Sequence, residues 1–302
     1  MNTSTTHRVL LTGGTGRLGT YLVRELRQRR LHSQIWSTGS PGFKDGIPVE
    51  HVDLLDVDHI APAFQSFGPT LVIHAAAIST ADACLANPVL AQRLNVDATK
   101  QLSDLCRLAG ARLIYTSTDL VFDGRRGGYR ECDPPSPVMV YGRSKAEAEP
   151  IVLQVAGNSV VRLSLLFGPK LGSRDSFFDL QWRAITMGDR RMKLFTDEWR
   201  TPIDYQTASR AVVEIALADT GGIWHVGGPE RMSRWEMGER LARFLGQTPL
   251  MFEATNRDSI GGTEPRPEDV SLDSSRWRSQ FAATDWPNYE EALRMIVSPL
   301  RS

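Results

Sequence analysis

Arg8-Val9-Leu10-Leu11-Thr12-Gly13-Gly14-Thr15-Gly16-Arg17-Leu18-Gly19 decides the fold. An apolar run with strand character enters a turn with glycines at 13, 16 and 19. Residues 20–29 then place Tyr21, Leu22 and Leu26 on one helical face. A turn this tight needs residues without side chains, and the helix behind it aims the positive end of its dipole back at the turn. Strand, glycine turn and helix together make a cradle for a dinucleotide's pyrophosphate. The glycine spacing gains its weight from this context.

Outward from the turn, short apolar strands alternate with amphipathic helices. Residues 33–37, 48–52, 70–74, 112–116 and 159–163 read as strands. Residues 89–109 read as one long helix closed by Gly110, and 144–155 as a helix that Pro150 shortens or kinks. Such alternation predicts an α/β fold with a doubly wound parallel sheet, covered on both faces through right-handed crossovers. After Phe167 the pattern weakens, and 170–200 and 229–302 are richer in Trp, Arg and Pro. The expected division is a dinucleotide-binding domain, 1–166 plus about 205–228, and a smaller α/β substrate-binding cap, about 167–204 plus 229–302. A helix at 208–218 and a strand at 222–226 return to the first domain.

The 302 residues carry 35 basic and 35 acidic side chains, for a formal net charge of zero, and 41% are hydrophobic. That excludes a mostly disordered chain and lacks the basic excess of a nucleic-acid binder. No apolar run nears the roughly 20 residues of a membrane span, and the first residues lack the basic start and apolar stretch of a secretory leader. Cys84, Cys106 and Cys132 form no CxxC pair, so a reducing, cytoplasmic setting is expected. The six histidines show no zinc spacing, and no metal is expected.

Sites that prefer NAD place a carboxylate on the ribose 2′-hydroxyl roughly 20 residues past the fingerprint. Here that position reads Trp36-Ser37-Thr38-Gly39-Ser40. The Ser37 hydroxyl and Arg17 suit a 2′-phosphate, so NADP(H) is preferred and NAD(H) is possible; a solvated surface role is the other reading of Arg17. Thr15 and Leu18 complete the turn's cofactor contacts. Asp53 and Leu54, after a strand, are candidates to clamp the adenine, unless Asp53 caps a turn.

Tyr141-Gly142-Arg143-Ser144-Lys145 sets a tyrosine and a lysine on one helical face. A free tyrosine titrates near 10, too high for efficient proton transfer at neutral pH, and an adjacent ammonium lowers that value. The lysine can also hold the nicotinamide ribose. Thr118 ends a strand that closes in Thr116-Ser117-Thr118-Asp119, where open α/β sheets bind ligands. Its hydroxyl can polarise a substrate carbonyl or cap a turn.

In order and spacing, the glycine turn, Ala75-Ala76-Ala77, Asn95-Val96, Ser117-Thr118 and Tyr141 with Lys145 resemble the extended short-chain dehydrogenases/reductases over essentially the whole chain. Within that family His74-Ala75-Ala76-Ala77, Ala81-Asp82, residues 117–124 and residues 141–145 look like the dTDP-4-dehydrorhamnose reductase branch. The resemblance implies a Rossmann domain, Thr118, Tyr141 and Lys145 as catalytic residues, Asn95 and Ala75 to Ala77 beside the cofactor, and a homodimer. It implies reduction of a keto group on a nucleotide-linked 4-keto-6-deoxysugar. Related 4,6-dehydratases carry an Asp-Glu pair after the threonine; here Leu120 follows Asp119, so elimination lacks its base. Leu165 stands where the rhamnose-type reductases carry a tryptophan.

Arg200, before Thr201-Pro202, and Arg266, before Pro267, are candidates to hold a substrate diphosphate, since guanidinium forks match phosphate oxygens. Salt bridges to Asp197, Glu198 or Asp269 are the other reading. Two further functions stay open. One is a non-catalytic NADP-binding regulatory subunit resembling that of methionine adenosyltransferase. The other is a nucleotide-sugar epimerase, which shares the three catalytic residues and would retain its cofactor.

Overall fold

The computed structural model describes residues 7–173, 175–188, 191–259 and 264–297. The chain divides into two compact units. The first comprises Met1–Ser117, Val140–Arg162 and Ser209–Trp224; the second comprises Thr118–Met139, Leu163–Ala208 and His225–Ser302.

The first unit is built on one sheet. Its strands are β1 (Arg8–Thr12), β2 (His32–Ser37), β3 (Gly42–Lys44), β4 (Ile47–His51), β5 (Leu71–His74), β6 (Arg112–Thr118), β7 (Ser159–Leu163) and the strand Gly222–Val226. Their spatial order is Gly222–Val226, β7, β6, β5, β1, β2, β4, β3. β1 runs parallel to both β2 and β5, and β5 is parallel to β6. The chain therefore builds outward from β1 in one direction and then resumes on its other side. That switch point lies above the glycine turn, where doubly wound sheets open a crevice for ligands.

Val9, Leu10 and Leu11 of β1 are fully buried, as expected of a central strand covered on both faces. Helix α1 (Arg17–Gln28) buries Tyr21, Leu22 and Leu26. Helices α2 (Val57–Phe67), α3 (Ala81–Ala86), α4 (Pro88–Gln92), α5 (Ala98–Ala109) and α6 (Val140–Leu153) follow. Phe64, Leu102, Ala148 and Val152 from these helices join Leu10, Trp36, Leu113 and Tyr115 in one core.

Three features differ from the sequence reading. The antiparallel hairpin of β3 and β4 was not foreseen; it turns at Asp45 and Gly46, both at positive φ, which an Asp-Gly pair tolerates. The long helix expected over 89–109 is interrupted by a π-helical turn at Arg93–Asp97, and Gly110 closes α5 in the left-handed conformation. Helix α6 begins at Val140 and runs through Pro150 to Leu153, so Tyr141 lies in its first turn.

The second unit contains short paired strands. Leu166–Phe167 runs parallel to Ile203–Asp204, and Met192–Phe195 parallel to Phe252–Thr255. Trp199–Arg200 runs antiparallel to Met232–Ser233. Helices Phe177–Met187 and Arg234–Phe244 each start with a capping box, Ser176 with Asp179 and Ser233 with Glu236. Phe167, Phe178, Met237, Leu241, Tyr289 and Leu293 form this unit's core, with Leu165 packed against it.

Residues 118–139 belong to this second unit, whereas the sequence placed them with the first. Tyr129 is the tie: its amide donates to the Ser271 carbonyl, and its own carbonyl accepts from the Asp273 amide and lies 3.0 Å from Nδ1 of His225. No described helix is long and apolar enough to cross a membrane.

Candidate active site

The glycine turn is shaped by contacts that no other residue permits. Gly13 has φ +73°, and a Cβ there would stand 2.6 Å from the Ala76 amide nitrogen. A Cβ on Gly19 would collide with the Gly13 carbonyl oxygen. Close packing of the turn on Ala75 and Ala76, and of α1 on the turn, therefore fixes both glycines. Gly16 is the N-cap of α1 with extended backbone, and no side chain caps the helix. The positive end of the helix dipole faces this turn, which suits an anion. Thr15 and Arg17 are exposed beside it and Leu18 is half-buried.

Ser37 is buried at the end of β2; its Oγ accepts from the Gly39 amide and lies 3.2 Å from Thr15 Oγ1. The side chain of Asp53 accepts from the Leu55 amide at 2.9 Å, so this aspartate caps a turn, and Leu54 packs in the core.

A chain of neutral hydrogen bonds runs from this turn to α6. Thr12 Oγ1 lies 2.6 Å from His74 Nδ1 and accepts from the Ala76 amide. His74 Nε2 lies 3.0 Å from Thr99 Oγ1, whose proton goes to the Asn95 carbonyl. That proton assignment makes Nε2 the donor toward Thr99 and leaves Nδ1 to accept from Thr12, so the imidazole is neutral. Burial holds His74 in that form, lowering its pKa to about 3, and the Lys145 charge adds to the effect.

Asn95 sits in the π-helical turn. Its side chain accepts from the Ile78 amide and donates to the Ile78 carbonyl and to Ser144 Oγ. Ser144 in turn donates to the carbonyl of Tyr141. A π turn inserts a residue into the helical ladder, and such turns recur at functional sites. Here it sets Asn95 between the loop after β5 and α6. Neither the π turn nor the role of His74 was foreseen from sequence; the small-residue run after His74 was the available signal.

Tyr141 is half-buried and Lys145 buried, both on α6. Lys145 Nζ lies 4.0 Å from the centroid of the Tyr115 ring, a cation–π contact. Burial lowers the lysine pKa to about 7, against the opposing pull of Glu149. The ammonium is thus poised to change charge at neutral pH.

In the second unit Thr118 is buried at the end of β6. Its hydroxyl accepts from the Leu120 amide and donates to Asp119. The turn-capping role read as an alternative is present. Asp119 also accepts from Ser164 Oγ and, at 2.8 Å, from Arg200 Nη1. Arg266 pairs with the fully buried Glu198, and Arg234 Nε lies 3.5 Å from the same carboxylate. Arg200 and Arg266 are therefore both engaged by carboxylates, although Arg200 pairs with Asp119 rather than with the three acids considered in the sequence. The Arg200 Nε is buried without a partner. Arg234 was missed because nothing in Ser233-Arg234-Trp235 distinguishes it from a surface residue. Among the described residues no group of three or more His, Cys, Asp or Glu could hold a metal.

The chain is 30% identical over 290 residues to a probable low-salt glycan biosynthesis reductase of Haloferax volcanii, covering 95% of this chain and 96% of that protein. It is 32% identical over 278 residues to the bovine methionine adenosyltransferase 2 subunit beta, covering 89% and 81%. Among solved structures, dTDP-4-dehydrorhamnose reductase of Bacillus anthracis in complex with NADP superposes with a TM-score of 0.85 at 22% identity, over 97% and 99% of the two chains. A hypothetical dTDP-4-dehydrorhamnose reductase from Sulfolobus tokodaii gives 0.82 at 28% identity, over 94% and 98%. The family model described as the RmlD substrate binding domain matches residues 7–302, and the chain belongs to that family, within the extended short-chain dehydrogenases/reductases.

Proposed function

We propose that this protein is an NADP(H)-dependent reductase of a keto group, acting on a nucleotide-linked 4-keto-6-deoxysugar. The observation that carries the reading is the pair on α6: Tyr141 in the first turn, with Lys145 one turn on, buried and near neutral in pKa. The positive φ of Gly13 and the glycine N-cap of α1 fit a dinucleotide. In this reading they hold the pyrophosphate, while Arg17 and Ser37, with no carboxylate at the end of β2, take a 2′-phosphate. Lys145 holds the nicotinamide ribose. The bound nicotinamide supplies hydride to the carbonyl carbon.

Tyr141 Oη gives its proton to the carbonyl oxygen, and the Lys145 ammonium stabilises the phenolate that remains. On substrate binding Thr118 turns its one hydroxyl proton from Asp119 to the same oxygen, while the Leu120 amide keeps the hydroxyl in place. Arg266 and the spare Nε of Arg200 hold the diphosphate. A cytoplasmic homodimer completes the proposal.

The similarity to the methionine adenosyltransferase subunit supports a second reading, a regulatory subunit that binds NADP without turnover. Steady-state oxidation of NADPH, and separately NADH, with dTDP-4-keto-6-deoxysugars separates the two. Turnover with NADPH is expected. Tight NADP binding with no turnover on any sugar, together with capture of a catalytic partner, would favour the subunit. An epimerase would isomerise its sugar with no net cofactor oxidation.

A further inference from the structure

Glu149 lies one turn beyond Lys145 on α6 and is 2% exposed. Both of its oxygens are occupied. Arg162, near the end of β7, reaches them with Nε at 3.0 and 3.2 Å and with Nη2 at 2.6 Å. Ser117, next to the last residue of β6, donates its hydroxyl to Oε1 at 2.6 Å. One carboxylate therefore ties the helix of Tyr141 and Lys145 to the ends of two neighbouring strands. A two-pronged guanidinium contact adds directional rigidity that a single hydrogen bond lacks. Burying an ion pair gives little net stability over an apolar pair of the same shape, so its retention here calls for another benefit.

We propose that Glu149, clamped by Arg162 and Ser117, is the positioning residue that sets α6 in register with the ends of β6 and β7 and keeps a negative charge behind Lys145. The proposal rests on the reading of Tyr141 and Lys145 as proton donor and tuning cation. Around the lysine stand the Tyr115 ring from β6, His74 from β5, Cys84 from α3, and Tyr141 and Glu149 from its own helix. His74 is neutral at working pH, which leaves Glu149 as the anion that offsets the burial of Lys145.

Glu149→Gln keeps the side chain's size and removes its charge. Turnover should fall about tenfold with KM held within about twofold, and the basic limb of the kcat profile should move about one pH unit toward acid. A second readout needs no substrate. Attraction between Lys145 and Glu149 stabilises the fold only while the lysine is protonated. The Tm difference between wild type and Glu149→Gln should therefore narrow as pH rises through the lysine's value of about 7. In a Lys145→Met background that narrowing should vanish.

Should Glu149→Gln not fold, Glu149→Asp keeps the charge and shortens the reach; it should lower kcat and leave the basic limb in place. A Tm difference constant with pH and unchanged by Lys145→Met, or a Glu149→Asp enzyme with wild-type kcat, overturns the proposal. A protein that shows the thermal cycle but turns over no carbonyl would instead count against the reductase reading.

Discussion

The two units hold their polar residues by different means. In the first, the path from Thr12 through His74, Thr99, Asn95 and Ser144 is made of short neutral groups, each with its donor and acceptor matched. In the second, Asp119, Glu198, Arg200, Arg234 and Arg266 are long or charged groups held by ion pairs. Neutral networks of small residues fix backbone at little electrostatic cost, which suits a site built around a dinucleotide of constant shape. Arginine–carboxylate pairs store charge that can be re-paired, which suits a site for an anionic substrate. Charged exceptions in the first unit include Glu149 with Arg162, Glu25 with Arg29, and the buried Lys145.

This contrast can be broken by mutation. Asp119→Asn would leave Arg200 buried without its counter-charge and should cost about 3 kcal/mol or more in denaturant unfolding. Thr99→Val removes a neutral link, leaving Nε2 of His74 without its acceptor, and should cost about 1–2 kcal/mol. Equal costs for the two variants would erase the distinction. Ser37→Asp places a carboxylate at the end of β2 and should shift the ratio of NADPH to NADH efficiency toward NADH by about tenfold, about 1.4 kcal/mol. An unchanged ratio would mean that Ser37 does not face the ribose.

A further effect concerns pH. The His74 pKa is depressed in the folded protein, so below its unfolded value of 6.5 the unfolded chain takes up a proton that the folded one refuses. Its contribution to stability is therefore present above pH 6.5 and lost as pH falls toward about 3. Acid unfolding of wild type should steepen by up to about 1.4 kcal/mol per pH unit relative to His74→Asn. Parallel curves would show that the imidazole is not held neutral.

Much of the first unit is legible in the sequence because its elements obey local rules. Residues 8–12, 159–163 and 222–226 form strands over the bounds that their apolar runs indicate. Gly13 and Gly19 stand where only glycine fits. What was missed depends on contacts distant in sequence or on subtle backbone geometry. Asp45-Gly46 is a local hairpin signal, whereas the π turn at Arg93–Asp97 has no periodic signature in an otherwise helical run. Residues 118–139 group with the second unit because Tyr129 bonds to residues more than a hundred positions away. The partners of Arg200 and Arg266 could not be chosen from the several acids nearby in sequence, and Arg200 pairs with Asp119, 81 positions away.

The central claim is that Tyr141, tuned by Lys145, is the proton donor of a keto reductase. The most direct test is single-turnover NADPH oxidation with a dTDP-4-keto-6-deoxysugar, wild type beside Tyr141→Phe, with NADPH affinity measured for both. The account predicts a rate lower by about 10²- to 10⁴-fold in the variant with cofactor affinity unchanged. A variant within a few fold of wild type would contradict it.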